Sequence, residues 1–325
     1  MRDQFGREID YLRLGLTDRC NFRCRYCMGS GPVHWLPPEQ LLTDEEVVQV
    51  VTAAAHLGIT RLKLTGGEPL LRPHLPELAA RLGQIPGIRD VTLTTNGFRL
   101  AELAVPLKQA GISTVNVSLD TLDRSGFHQL TGVDGLSQVL AGIRAACAAG
   151  FRQVKVNCVT GQGIAPGDPV ELAELARTVP VWVRYIESMP IGPGAACTPV
   201  TRGELTRRLE ERYGPLTPTG ERGNGPADYF TLPGFAGRIG FISARTVPFC
   251  SRCNRIRVTP DGWVKPCLQY GAALDLKPLL REGRDAQALE QALSQAIQSK
   301  PRAHQFDAPQ REEPLERRTM SAIGG

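Results

Sequence analysis

The 325-residue chain has no apolar leader in its opening MRDQFGREID and no run of about 18 apolar residues. These absences argue against secretion and membrane spanning, and lead us to expect a cytoplasmic protein. No basic tract stands out: 38 basic and 33 acidic residues are scattered to a net charge of +5. Charge therefore does not point to nucleic acid. Internal repeats and low-complexity segments are also missing. Lysine is scarce, only six of the 38 basic residues, which draws attention to Lys63 and Lys155 inside β-rich runs.

What the chain does contain is cysteine, nine residues of it. With no leader, they point to metal or redox use rather than a disulfide framework. Cys147, Cys158 and Cys197 read as ordinary buried residues, and the other six form two spaced groups. In the first, Cys20, Cys24 and Cys27 stand in C-x3-C-x2-C spacing just after an apparent strand. Thiolates select zinc or iron-sulfur sites, and either ordinarily takes four protein ligands. Three ligands leave one metal position for a reactant. A zinc site completed by His34 or a distant cysteine is the alternative that the spacing leaves open.

The second group, Cys250, Cys253 and Cys267, follows a Pro- and Gly-rich stretch from Gly214 to Gly237 that reads as a connection between domains. Pro260-Asp261-Gly262 is a turn signal between alternating runs, so a hairpin should carry Cys267 back until the three thiolates meet at one point. The same alternation puts Arg255 and Arg257 on one strand face, placed to grip phosphates. No histidine lies between Cys250 and Cys267. A zinc ribbon, which wants four ligands, is the competing reading.

From residue 11 to about 213, β-rich runs alternate with amphipathic segments. Six strands are expected, at 11–17, 61–65, 90–95, 114–119, 153–159 and 181–187. Between them are readable helix ends, such as the capping box of Thr43 and Glu46. Alternation of this kind implies parallel strands joined by right-handed crossovers. We expect an α/β fold: an incomplete (βα)6 barrel over residues 1–213, with a smaller α+β domain over 214–325. One face of the strands is apolar, while the other carries Arg13, Lys63, Thr65, Thr92, Thr94, Asn116, Ser118, Lys155, Asn157 and Arg184. If the apolar face meets the helices, the polar face lines a wet lumen with four inward cations, suited to a polyanion such as a triphosphate. The alternative is neutralisation by acidic residues in the wall. Beyond the strand ends fall Cys20, Gly66-Gly67-Glu68-Pro69, Asn96, Asp120 and Met189. Gly66 and Gly67 would admit a close backbone approach to a ligand, and Glu68 could accept from an ammonium group.

The segment Thr17 to Met28 around the first three cysteines, with Gly66-Gly67-Glu68-Pro69, resembles the radical S-adenosylmethionine superfamily. Cys250-Ser-Arg-Cys253-Asn-Arg255-Ile-Arg257, Cys267 and the terminal Gly324-Gly325 narrow the resemblance to the GTP 3′,8-cyclase family of molybdenum cofactor biosynthesis. It runs over essentially the whole chain. The resemblance implies a 4Fe-4S cluster on Cys20, Cys24 and Cys27 whose open iron chelates S-adenosylmethionine. Contacts to that cofactor are expected from Tyr26, the Gly66, Gly67 and Glu68 run, Ser118 and Met189.

A 5′-deoxyadenosyl radical would then take hydrogen from C3′ of GTP, and C3′ would attack guanine C8. The resemblance further implies GTP contacts from Arg13, Lys63, Thr94, Lys155, Arg255 and Arg257. A second 4Fe-4S cluster on Cys250, Cys253 and Cys267 would bind the guanine, and Gly324 and Gly325 would thread toward the active site. Expected partners are GTP, a reductant such as flavodoxin or ferredoxin, and downstream the cyclic pyranopterin monophosphate synthase; a homodimer is allowed. Lys63 is a departure, since arginine is common there in the family: the charge stays but bidentate geometry is lost. Another radical enzyme with an auxiliary cluster and a zinc-containing nucleic-acid module are the competing functions.

Overall fold

The computed structural model describes residues 1–283, 286–308, 316 and 318–324. Six strands form its centre: β1 (Tyr11–Gly15), β2 (Arg61–Thr65), β3 (Asp90–Thr95), β4 (Ile112–Ser118), β5 (Gln153–Gln162) and β6 (Trp182–Glu187). Each pairs in parallel with the next. A short β7 (Thr198–Pro199) turns back along the end of β5, which is why β5 outruns the expected strand. The C-terminal part adds β8 (Thr217–Pro218), β9 (Asp228–Thr231), β10 (Arg238–Ile242), β11 (Arg255–Val258), β12 (Trp263–Lys265) and β13 (Leu274–Asp275).

These later strands extend both edges of the same sheet, in the order β13-β12-β11-β1-β2-β3-β4-β5-β6-β10-β9-β8. The chain thus closes no barrel among the described residues. β11 runs parallel to β1 with Arg257 opposite Arg13 and Arg255 opposite Tyr11. The stretch from Gly214 to Gly237 is accordingly more than a connection. It supplies β8 and β9, because Tyr229 is buried and its ring lies 4.4 Å from that of Trp182 on β6.

The alternation seen in the sequence decides which face packs. Leu12, Leu14, Leu62, Leu64, Val115, Val117, Val154 and Val156 are all buried in one core beneath the helices. Full burial of each such side chain contributes about 1.5–3 kcal/mol. The helix Asp44–His56 opens on the expected capping box, with Thr43 and Glu46 each accepting from the other's backbone N–H. No helix among the described residues is long and apolar enough to cross a membrane.

Candidate active site

The polar strand face lines a cavity of about 490 Å³ containing Arg13, Lys63, Thr92, Thr94, Asn116, Lys155, Asn157 and Arg184. Nine basic side chains border this cavity against one lining carboxylate, Asp90; Arg152 and Arg61 have acidic partners at its rim, while Lys63, Lys155 and Arg184 make no ion pair with a carboxylate among the described residues. Arg184 instead donates to Asn157 Oδ1 at 2.9 Å and Asn116 Oδ1 at 2.7 Å, which are neutral acceptors. Asp90 is engaged by Arg152 at 3.1 Å. Burial, reinforced by Arg184, Arg13 and Lys155, pushes Lys63 well below the usual lysine range. Burial and Arg184 bring Lys155 down to about 7, while its Nζ lies 5.2 Å from the centroid of Trp182. Burial lowers Arg13 to about 10. Such a wall is short of negative charge, and an anionic ligand would supply it.

At the strands' C-terminal end, the chain leaves β1 into the loop of Cys20, Cys24 and Cys27, all free thiols. Cys24 caps the short helix Arg25–Met28, and Cys27 N–H donates to its carbonyl at 3.0 Å. Burial pushes Cys20 up to about 11 and Cys27 to about 12, Cys27 being raised further by Cys20. Cys24 is driven well above its ordinary value by burial and then by Cys27. Three half-buried thiols in one another's field resist ionisation, and a cationic metal centre among them is what would hold them as thiolates. The all-sulfur donor set fits iron-sulfur ligation.

The second group behaves differently. Burial alone would raise Cys253, but Arg255 and then Lys300 overcome it and lower the thiol to about 6. Lys300, 3% exposed, donates to the Arg255 carbonyl at 2.8 Å and the Pro266 carbonyl at 2.5 Å, tying β11 to the Cys267 turn. The hairpin forms as expected, with β12 antiparallel to β11. This hairpin carries Cys267 back along β11, the strand that follows Cys253. Among the described residues no three His, Cys, Asp or Glu side chains form a single-ion site, at this group or at the first. Lys300 bridges the two segments through its ammonium. The group's donor set is again all sulfur, with cations beside it.

The model of the Radical SAM superfamily matches residues 14–176, and that of Molybdenum Cofactor Synthesis C matches residues 181–306. A GTP 3′,8-cyclase of Moorella thermoacetica is 42% identical over 100% of both chains. A GTP 3′,8-cyclase 2 of Pseudomonas aeruginosa is 44% identical over 99% of this chain and 98% of its own. The chain belongs to the GTP 3′,8-cyclase family. Among solved structures, Streptococcus suis SuiB bound to S-adenosylmethionine aligns with a TM-score of 0.57 at 16% identity, covering 90% of this chain and 68% of SuiB. That likeness concerns the fold alone.

For a member of this cyclase family the placement of the expected residues is informative. A Cβ on Gly66 would lie 2.5 Å from Thr17 O, and one on Gly67 2.3 Å from Arg19 O. The close approach these glycines permit is therefore to the cysteine loop, and Gly67 N–H donates to Thr17 O at 2.6 Å. Glu68 is also committed within the protein. It accepts from Leu70 N at 2.9 Å, Thr95 Oγ1 at 2.6 Å and Asn96 N at 2.6 Å. Burial nevertheless holds its carboxyl up at about 7.

Tyr26 donates to Asp120 Oδ2 at 3.0 Å, and Asp120 accepts from Val159 N at 2.8 Å. Ser118 ends β4, and Met189 packs with Ile191, Phe306 and Ile323. Gly324, at φ +73°, lies between the ends of β1 and β2, and its carbonyl accepts from Arg257 Nη1 at 3.1 Å. Gly325 lies outside the described residues. Lys300 had no sequence signal, being a lone lysine after a helix. Asp120 and Arg184 carried one, as polar residues on or just past lumen strands.

Proposed function

We propose that this protein converts GTP to (8S)-3′,8-cyclo-7,8-dihydroguanosine 5′-triphosphate, starting with hydrogen abstraction at C3′, as the first step of molybdenum cofactor biosynthesis. The observation that carries this reading is the cavity of about 490 Å³ whose nine cations face one carboxylate, bordered by Arg255 beside the second cysteine group. Membership of the radical S-adenosylmethionine superfamily brings a 4Fe-4S cluster and S-adenosylmethionine. Bound at Cys20, Cys24 and Cys27, that pair supplies one-electron reduction and hydrogen-atom abstraction.

The chain's own residues orient the substrate. Arg13, Lys63 and Lys155 neutralise the triphosphate, Thr94 adds a hydroxyl, and Arg255 and Arg257 grip from β11. Cys250, Cys253 and Cys267 would hold a second 4Fe-4S cluster, which would bind the guanine. Tyr26, Gly66, Gly67, Ser118 and Met189 shape the S-adenosylmethionine site, with Glu68 bracing the loop they share. Gly324 completes the floor through Arg257, and Gly325 is proposed to act with it in catalysis. In this proposal residues 1–213 form the radical unit and 214–325 the substrate unit. A flavodoxin or ferredoxin supplies the electron, cyclic pyranopterin monophosphate synthase takes the product, and the protein works in the cytoplasm as a homodimer.

The test is anaerobic. The protein is reconstituted with iron and sulfide, given S-adenosylmethionine, dithionite and GTP, and the products are followed by mass spectrometry. GTP-dependent 5′-deoxyadenosine with an isomeric dihydro-type nucleotide is expected; cleavage indifferent to GTP would overturn the substrate assignment.

A further inference from the structure

The loop from β8 to β9, residues 219–227, runs along the cavity beside the N-terminal ends of the strands. It is tied down on both sides of Arg222. Glu221 pairs with Arg238 at 2.8 Å, and the Asn224 side chain donates to Asp90 at the start of β3. Between them the backbone lies against Lys155, so closely that a Cβ on Gly223 would be 3.1 Å from Nζ. Arg222 through Pro226 line the main cavity on one side and a neighbouring hollow of about 430 Å³ on the other. The loop is thus a partition whose one long cation is Arg222.

The arginines near this loop divide into paired and unpaired. Arg152 is held by Asp90 at 3.1 Å and Arg61 by Asp10 at 3.1 Å. Among the described residues, neither Arg89, just before β3, nor Arg222 makes a side-chain hydrogen bond or ion pair, and of these two it is Arg222 that stands on the loop lying against Lys155. It is an exposed guanidinium on an anchored loop, next to a lysine that burial and Arg184 have brought down to about 7. Both line the same cavity, so an anion lying between loop and wall would face the two of them.

Resting on the cyclase reading, we infer that Arg222 binds the terminal phosphate of the nucleoside triphosphate and makes the site prefer a triphosphate to a diphosphate. The reacting ribose must lie toward the cysteine loop, at the C-terminal ends of the strands. The end of the phosphate chain is the substrate portion free to reach the opposite, N-terminal mouth. A planar guanidinium suits a terminal phosphate because it can meet two of its oxygens at once. The bridging phosphates fall to the wall cations, and only the last one extends to the loop.

The test is equilibrium binding of GTP, GDP and GMP to the anaerobically reconstituted full chain, for wild type, Arg222→Ala and Arg222→Lys. Arg222→Ala is expected to weaken GTP about tenfold at low salt while changing GDP less than about twofold. Arg222→Lys should recover part of the GTP affinity. Equal loss for GTP and GDP, or no loss for either, overturns the inference. Asn224→Ala, which frees the loop but keeps Arg222, should also cut the GTP preference; an undiminished preference counts against the anchored loop. Wild-type protein that binds none of the three nucleotides would overturn the cyclase reading and this inference with it, a result separate from either pattern above.

Discussion

Replacing Gly324 by alanine should release the C-terminal tail without unfolding the protein. Gly324 has φ +73°, a conformation that costs an alanine about 1–2 kcal/mol. The new Cβ would also sit 2.9 Å from Thr65 Oγ1 and 3.3 Å from Gly15 Cα, adding roughly another 1 kcal/mol of displacement. Together about 2–3 kcal/mol, or roughly 30- to 140-fold, is drawn from the docking equilibrium of the tail. The end of the tail is held by Ile323, buried against Ile191 and Phe306, and by the Arg257 bond to the Gly324 carbonyl, while upstream Glu316 pairs with Lys265 and Arg318 with Asp261 at 3.7 Å.

Because those contacts are local, the tail should open as its own unit. Native-state trypsin cleavage after Arg318 reports that opening, and thermal denaturation reports the rest of the fold. The expected result is a cleavage rate raised by one to two orders of magnitude with an unchanged melting temperature, and loss of the cyclised nucleotide. A tail as protected in Gly324→Ala as in wild type would refute the steric argument. Full activity with a released tail would remove Gly324 from the site.

The affinity for GTP should fall as pH rises through about 7. Lys155 holds its proton below that value, and a bound phosphate raises its pKa, so above it binding must take up a proton. From pH 6.5 to 8.5 we expect roughly tenfold weaker binding, opposite in sign to the terminal phosphate's own ionisation near pH 6, and a flattened profile in Lys155→Arg. A wild-type profile as flat as that of Lys155→Arg would refute it. Glu68→Ala leaves Leu70 N, Thr95 Oγ1 and Asn96 N without their acceptor, and should cost about 2–4 kcal/mol in urea unfolding, with Glu68→Gln costing less; an unchanged midpoint would show that water takes over those donors. Cys24→Ser should lower iron incorporation by about half and abolish S-adenosylmethionine cleavage. Undiminished cleavage would rule out the assigned ligand set.

The sequence by itself determined the strands, the face each presents, and both cysteine groups, because period-two alternation and short spacings are local properties that packing then follows. Lys63 and Lys155 could be read as lumen residues from that alternation alone, and the Thr43 and Glu46 cap from four consecutive positions. Tertiary structure decided what each polar group faces. Glu68, placed by its motif near the cofactor, spends its oxygens on Leu70, Thr95 and Asn96, partners up to 28 positions away. The two glycines before it serve the cysteine loop. Lys300 reaches the second cysteine group, and Arg257 the Gly324 carbonyl, from 45 and 67 positions away. Nor could the chain's own order show that strands from its C-terminal part border both edges of the parallel sheet. Such contacts follow from the sum of many backbone rotations, which no short pattern records, and they set the burial and the neighbouring charges that move Lys155 and Cys253 in proton affinity.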